Sequence, residues 1–251
     1  MKAPFYIISD NHFMMQDNNE ESGRRRKLFS VFETIKTQGS GTLIIGGDFF
    51  DFWFETDYVV PNGYQDLIEE LVSLNNAGIE IHYLAGNHDY WNFGYLEKKI
   101  GLIFHKQDLK FNFNKKNILI THGDGLLKSD HGYRLLKRII RHPIFIKLFK
   151  MIPPKISFKL ASKLSKSSSD YNHNDKFIDI IMYDIFNYAK RQWNNNHDIV
   201  MVGHYHQQKV IKEEDGILIF LGDWLTKFSV TTLNEKGIWQ GNWEEFIKKL
   251  A

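Results

Sequence analysis

Five short apolar runs, at residues 5–9, 42–45, 79–84, 118–121 and 199–202, each stop at polar side chains of metal-ligand type. The first leads into Asp10-Asn11-His12, the second into Gly46-Gly47-Asp48 and the third into Gly86-Asn87-His88-Asp89. The fourth leads into His122-Gly123-Asp124 and the fifth into Gly203-His204-Tyr205-His206. Further strand-like runs cover 217–221 and 229–233. Between them lie stretches with apolar residues at three- and four-residue spacing, as in Leu67, Ile68, Leu71 and Leu74, predicting helices over 21–38, 64–76 and 175–193. Strands alternating with helices predict an α/β fold. In an open α/β sheet, ligands bind beyond the carboxyl ends of the strands, so aligned strand ends gather these groups on one edge.

Residues 126–174 break the alternation and read as amphipathic helices interrupted at Pro143 and Pro153-Pro154, followed by a polar run. The expectation is one domain over 1–251 with a basic helical cap inserted at about 126–174. Between Leu126 and Lys166 stand eleven Lys/Arg against one acid, Asp130, although the whole chain carries only +2. Such a block points to an anionic partner, whether lipid headgroup, nucleic acid or phosphorylated substrate. Its apolar residues, among them Leu135, Leu136, Ile139, Ile144 and Leu148, suit either packing on the body or an interfacial helix on anionic lipid, and its cations also read as a solvated face. Aliphatic rather than stacking aromatic residues interleave the charges, so nucleic acid is not expected.

The absence of cysteine removes disulfides, thiolate metal sites and cysteine nucleophiles. No run approaches the roughly 20 apolar residues of a membrane span, and the N-terminal apolar run is too short for a signal peptide. A cytoplasmic protein, with at most peripheral contact to the cytoplasmic face of the inner membrane, is the expectation.

The chemistry follows from the donor set. Asp10, Asp48 and Asn87 offer oxygens; His12, His122, His204 and His206 offer imidazoles. Taken singly, each reads as well as a surface polar residue at a loop start; their joint recurrence argues for a site. Mixed N/O donors suit Mn²⁺, Fe or Zn²⁺ better than Ca²⁺ or Mg²⁺, and seven donors suit two ions sharing one carboxylate. In Asp10-x-His12 and His204-x-His206, two-residue spacing along an extended chain would bring both side chains to one centre. Two ions clamp the attacking and leaving oxygens of a displacement at phosphorus and ionise a water near neutral pH, so no side-chain nucleophile is needed.

This ordered pattern, D-x-H, G-D, G-N-H-D, H and G-H-x-H, resembles the calcineurin-like metallophosphoesterases over the whole chain outside the insertion. The resemblance implies a four-layer αββα sandwich with a di-metal centre between its sheets. It implies Asp10, His12, Asp48 and His206 on one metal, and Asp48, Asn87, His122 and His204 on the other. Within the family, Gly47-Asp48-Phe49-Phe50-Asp51-Phe52-Trp53, His122-Gly123-Asp124, Asp130-His131-Gly132-Tyr133 and the basic insertion ending Leu164-Ser165-Lys166 resemble the branch of UDP-2,3-diacylglucosamine diphosphatases. That implies pyrophosphate cleavage of a UDP-linked glycolipid in lipid A synthesis, with the insertion as a lid over acyl chains. It also implies Asp130, Ser165 and Lys166 as substrate contacts.

His88 stands where well-known members of that branch carry Arg. His88 and Asn87 are the expected catalytic groups; His88 could steady the scissile phosphate or protonate a leaving oxygen, and a phosphate leaving group, which needs little protonation, favours the electrostatic role. Asp89 is expected to orient a histidine; Asp51, Asp124 and Asp223 are expected to be structural. His131 is placed either at the substrate cleft or in solvent. His82, His105, His142, His173 and His197 receive no role. Two other functions fit the scaffold: another phosphodiesterase, nuclease or phosphatase, and a non-catalytic partner-binding protein. The second expects gaps in the donor set, and there are none.

Overall fold

The computed structural model describes residues 1–16, 18–55, 60–152 and 175–250. Among the described residues eleven strands form two sheets. The first has the order β11-β10-β1-β2-β3-β4, built from β1 (Phe5–Ile8), β2 (Gly41–Ile45), β3 (Ile79–Leu84), β4 (Ile103–His105), β10 (Ser229–Asn234) and β11 (Gly237–Asn242). β1 to β4 run parallel; β10 and β11 close one side antiparallel. The second sheet, β5-β6-β7-β9-β8, comprises β5 (Leu109–Phe113), β6 (Lys116–Thr121), β7 (Ile199–Val202), β8 (Gln208–Lys212) and β9 (Ile217–Leu221). Here β6, β7 and β9 are parallel and both edges antiparallel.

Side-chain alternation sorts the core into layers. From β1, Phe5 and Ile7 join Ile44, Ile118, Ile120, Ile199, Met201 and Ile219 between the sheets. The alternate residues Tyr6 and Ile8 face outward. They meet α1 (Asn19–Thr37), α2 (Gln65–Asn76), α3 (Tyr95–Ile100) and α7 (Trp243–Leu250). On the far side Leu119, Val200, Val202, Leu218 and Phe220 face α6 (Asp175–Asn194). The result is the expected α/β/β/α sandwich, whose central strands are near-continuous Ile/Leu/Val runs because both faces are covered.

α4 (His131–Ile140) and α5 (Pro143–Lys150) differ from the other helices. Neither buries a residue, and Leu135 (59%), Ile144 (65%), Leu148 (59%) and Met151 (77%) stay exposed. Pro143 opens α5 at its first turn, where a missing N–H costs nothing. α5 touches the body through the Phe149 ring, 5.0 Å from Phe54. Pro153-Pro154, His173 and the end of the basic block, including Ser165 and Lys166, lie outside the described residues. Among the described residues no helix is long and apolar enough to cross a membrane.

Candidate metal centre

The five strand ends named above converge. β1, β2 and β3 deliver Asp10, His12, Asp48, Asn87 and His88; β6 and β7 deliver His122, His204 and His206. Three sets of side chains each bring their ligand-type atoms within 4.8 Å of one another: Asp10, His12 and His206; His12, Asp48 and His88; and Asp48, His122 and His204. Asp48 and His12 belong to two sets each. Asn87 joins through its Oδ1, 3.1 Å from Nε2 of His122, and that Nε2 is 3.2 Å from Oδ2 of Asp48. His12 Nε2 is 3.8 Å, and His88 Nε2 3.9 Å, from the same carboxylate oxygen. His206 Nε2 lies 3.7 Å from Oδ1 of Asp10.

The route by which they converge corrects the extended-chain expectation. Asp10 (φ 54°), His12 (φ 46°), Asp48 (φ 52°), His204 (φ 65°) and His206 (φ 53°) all adopt left-handed backbone. Non-glycine residues do so rarely and at a cost of about 1–3 kcal/mol, so the surroundings must hold them. Main-chain bonds do that. Asp10 N donates to Gly47 O (3.0 Å), His12 N to Asp48 O (2.9 Å) and Trp224 N to Asp10 O (3.0 Å). The N–H of His204 donates to both carboxylate oxygens of Asp10 at 2.9 Å, and Ser9 Oγ donates to Oδ2 at 2.6 Å. One consequence is that His204 and His206 do not reach a common set: His206 turns to Asp10 and His12, His204 to Asp48 and His122.

Two glycines are dictated by closeness. A Cβ on Gly47 (φ +99°) would sit 2.5 Å from Nδ1 of His122, and one on Gly86 would run into the Asp48 carboxylate. Asp89 binds main chain and a tyrosine rather than a histidine. It accepts from the N–H of Phe49 (2.8 Å), the N–H of Gly86 (2.7 Å) and the Tyr83 hydroxyl, fastening the second strand-end loop to the third. Burial, with Asp48 nearby, pushes its carboxyl up to about 6. The histidines are oriented by carbonyls instead: His122 Nδ1 lies 3.0 Å from Gly46 O and His88 Nδ1 2.5 Å from Asp51 O. A carbonyl accepts only, so both Nδ1 atoms carry hydrogen, and Nε2 faces the carboxylates.

The electrostatics are those of a cation site. Burial is the largest influence on Asp48 and disfavours its charge, but His122, His88 and His12 outweigh it and hold the carboxyl well below the usual range. Burial likewise disfavours charge on His122, yet Asp48 and Asp10 raise that imidazole to about 10. Burial and His122 push His204 down to about 3. His12 Nε2 is buried with no hydrogen-bond partner. An orphaned imidazole nitrogen at the meeting point of two carboxylates is the environment a divalent ion would satisfy, and the N/O donor set fits one.

The profile of the calcineurin-like phosphoesterases matches residues 3–208. The chain belongs to the calcineurin-like phosphoesterase family. Enzymes of this family bind divalent metals and hydrolyse phosphoester or pyrophosphate bonds, so the chain is a metal-dependent hydrolase. It is 27% identical over 258 residues to the UDP-2,3-diacylglucosamine hydrolase of Porphyromonas gingivalis, across 96% of this chain and 95% of that one. It is 27% identical to the Haemophilus influenzae protein of the same name, across 92% and 95%. A solved archaeal phosphodiesterase aligns with TM-score 0.46 and 16% identity over 95% of this chain and 98% of its own.

Other expected residues fall as follows. Asp130 stands at the N-cap position of α4, half-buried and without a side-chain capping bond; three residues on, the Tyr133 ring stands 6.5 Å from that of His204. His131 is exposed and bonded to Arg134. His142 caps α5. Asp223 holds the turn after β9. Asp124 accepts from Tyr133 and Lys137 of α4 and from Arg141 at its C-cap. Arg141 had no signal in the sequence beyond membership of the basic block.

Proposed function

We propose that this chain hydrolyses the pyrophosphate of UDP-2,3-diacylglucosamine, giving UMP and 2,3-diacylglucosamine 1-phosphate. The observation that carries the reading is the convergence of Asp10, His12, Asp48, Asn87, His122, His204 and His206 from five strand ends, in a chain matching hydrolases of that name over nearly its full length. Asp10, His12, Asp48 and His206 would hold one ion and Asp48, Asn87, His122 and His204 the other, with Asp48 shared and Mn²⁺ the favoured metal. When bound, the ions supply electrophilic charge at the phosphate and an acidified water as nucleophile.

The chain's own residues do the rest. Left-handed turns at Asp10, His12, Asp48, His204 and His206 aim their side chains inward before substrate arrives. His88, fixed by the Asp51 carbonyl, presents Nε2 toward the same centre. Burial, the largest influence, disfavours its charge, but Asp48 and the Asp51 carbonyl outweigh it and favour the imidazolium. That charge steadies the scissile phosphate; a phosphate leaving group needs little protonation.

One domain spans 1–251, with α4 and α5 as part of a cap at about 126–174. The exposed Leu135, Ile144 and Leu148 receive the acyl chains, and the surrounding cations make peripheral contact with anionic inner-membrane lipid from the cytoplasmic side. Asp130, Ser165 and Lys166 contact the sugar and diphosphate.

The test is hydrolysis of UDP-2,3-diacylglucosamine by metal-depleted protein reloaded with Mn²⁺, beside His204→Ala. UMP released by the wild type and lost in the variant supports the reading. Cleavage confined to a generic aryl phosphodiester would keep the chemistry and remove the glycolipid.

A further inference from the structure

Tyr133 and Lys137 stand four residues apart on α4, and Arg141, four residues further on at the C-cap in right-handed backbone, continues the same face. All three end on Asp124. Tyr133 Oη donates to its Oδ2 at 2.9 Å, Lys137 Nζ lies 2.8 Å from the same oxygen, and Arg141 Nη2 donates to it at 2.9 Å. Arg141 goes further. The same Nη2 lies 3.2 Å from the carbonyl oxygen of Gly86, and the guanidinium rests on the Tyr90 ring, 4.1 Å from its centroid.

The two partners of that nitrogen sit at consequential places. Gly86 immediately precedes Asn87, and Asp124 comes two residues after His122. Asn87 and His122 come from different sheets, and their facing atoms are 3.1 Å apart. A single guanidinium nitrogen therefore joins the loops that carry these two side chains. A planar guanidinium with fixed donors can hold two acceptors and a ring face at once; a lysine ammonium on a flexible stem holds them less firmly. α4 buries no residue, so polar contacts fasten it to the body: these three, the bond from Trp91 Nε1 to Ile140 O (3.4 Å), and those from Arg134 Nη1 to the carbonyls of Gly125 (3.2 Å) and Leu127 (2.6 Å).

We propose that Arg141 is a positioning residue, bridging the Gly86 and Asp124 loops from the C-cap of α4 so that the seating of this helix sets the affinity of the ion held by Asn87 and His122. The inference rests on the two-ion reading above. It makes the centre sensitive to whatever engages the apolar side of α4, because the helix presents Leu135, Leu136 and Ile139 outward and its C-cap Arg141 reaches the two loops.

The experiment is a calorimetric Mn²⁺ titration of the metal-depleted full chain, with kcat and KM measured on the same preparations. Arg141→Met weakens one of the two ions about tenfold, the usual effect of losing a group that orients a ligand, and leaves the other unchanged. kcat falls with it. Arg141→Lys lies between the two. Arg138→Met, the same loss of charge on the exposed side of α4, binds both ions as the wild type does. A loss confined to one ion is what a general loosening of the fold would not produce. Arg141→Met binding both ions within twofold of wild type would overturn the proposal, as would Arg138→Met reproducing its defect; should Arg141→Met not fold, Arg141→Lys decides, a wild-type isotherm again overturning it. A wild type that binds two ions without cleaving the glycolipid would remove the substrate and leave Arg141 in place.

Discussion

Nε2 of His122 lies 3.2 Å from Oδ2 of Asp48, while Nδ1 of the same ring lies 3.0 Å from the Gly46 carbonyl. The carbonyl fixes the ring so that its second nitrogen and the buried carboxylate face one point. Asp48→Asn should therefore lower kcat/KM by at least about a hundredfold. Steady-state kinetics beside far-UV circular dichroism separates this from unfolding. Gly86→Ala should do comparable damage without removing a donor, because the added methyl meets the Asp48 carboxylate.

His88 is in reach of Asp48 but is oriented through Asp51, and the two ligand sets assigned to the ions are complete without it. His88→Ala should lower kcat about a hundredfold and leave Mn²⁺ stoichiometry unchanged. Parallel kinetics and metal analysis check both halves.

Away from the centre, Asp223 gives a pH prediction. Burial disfavours its charge most, but the N–H groups of Thr226 and Lys227 and the Lys227 ammonium hold its carboxyl below the usual range. A depressed folded pKa contributes stability that is present above the unfolded value, about 3.9, and is lost as pH falls through the folded value. Asp223→Asn should cost roughly 2 kcal/mol at pH 7. The gap between variant and wild type should narrow below about pH 4. Denaturant unfolding at both pH values measures it.

If α4 and α5 receive acyl chains, replacing Leu135, Ile139, Ile144 and Leu148 by Ser should raise KM for the glycolipid and spare turnover of a water-soluble aryl phosphodiester. Stability should change little, since these side chains are already exposed. Equal loss on both substrates would mean the helices serve the fold rather than the lipid.

The sequence made the central strands legible and the margins illegible. β1, β2, β6, β7 and β9 carry apolar runs because both their faces are covered, while β3, Ile-Glu-Ile-His-Tyr-Leu, and β10, Ser-Val-Thr-Thr-Leu-Asn, were legible from their β-branched and aromatic residues. β4, β5, β8 and β11 are the four sheet edges, and none was expected. β5, Leu-Lys-Phe-Asn-Phe, and β8, Gln-Lys-Val-Ile-Lys, mix polar with apolar residues, as edges exposed to water do. α3, with six residues, and α7, with eight, gave too short a period to read.

At the site, the type and order of the donors were legible, because each follows an apolar run and a turn. The path of the chain was not. Left-handed backbone at Asp10 or His12 leaves no trace in composition, since the bonds that hold it come from residues far away in sequence. Nor could Asp89 be assigned main-chain partners or Arg141 two acceptors, because both depend on loops brought together only by the fold.

The most direct measurement is the number of Mn²⁺ ions bound per chain by metal-depleted protein, for the wild type and for Asp48→Asn. If Asp48 is shared between two sites, the wild type binds two ions and the variant loses affinity for both. A wild type that saturates at a single ion, or a variant that loses only one of two, would contradict a centre built around a shared Asp48.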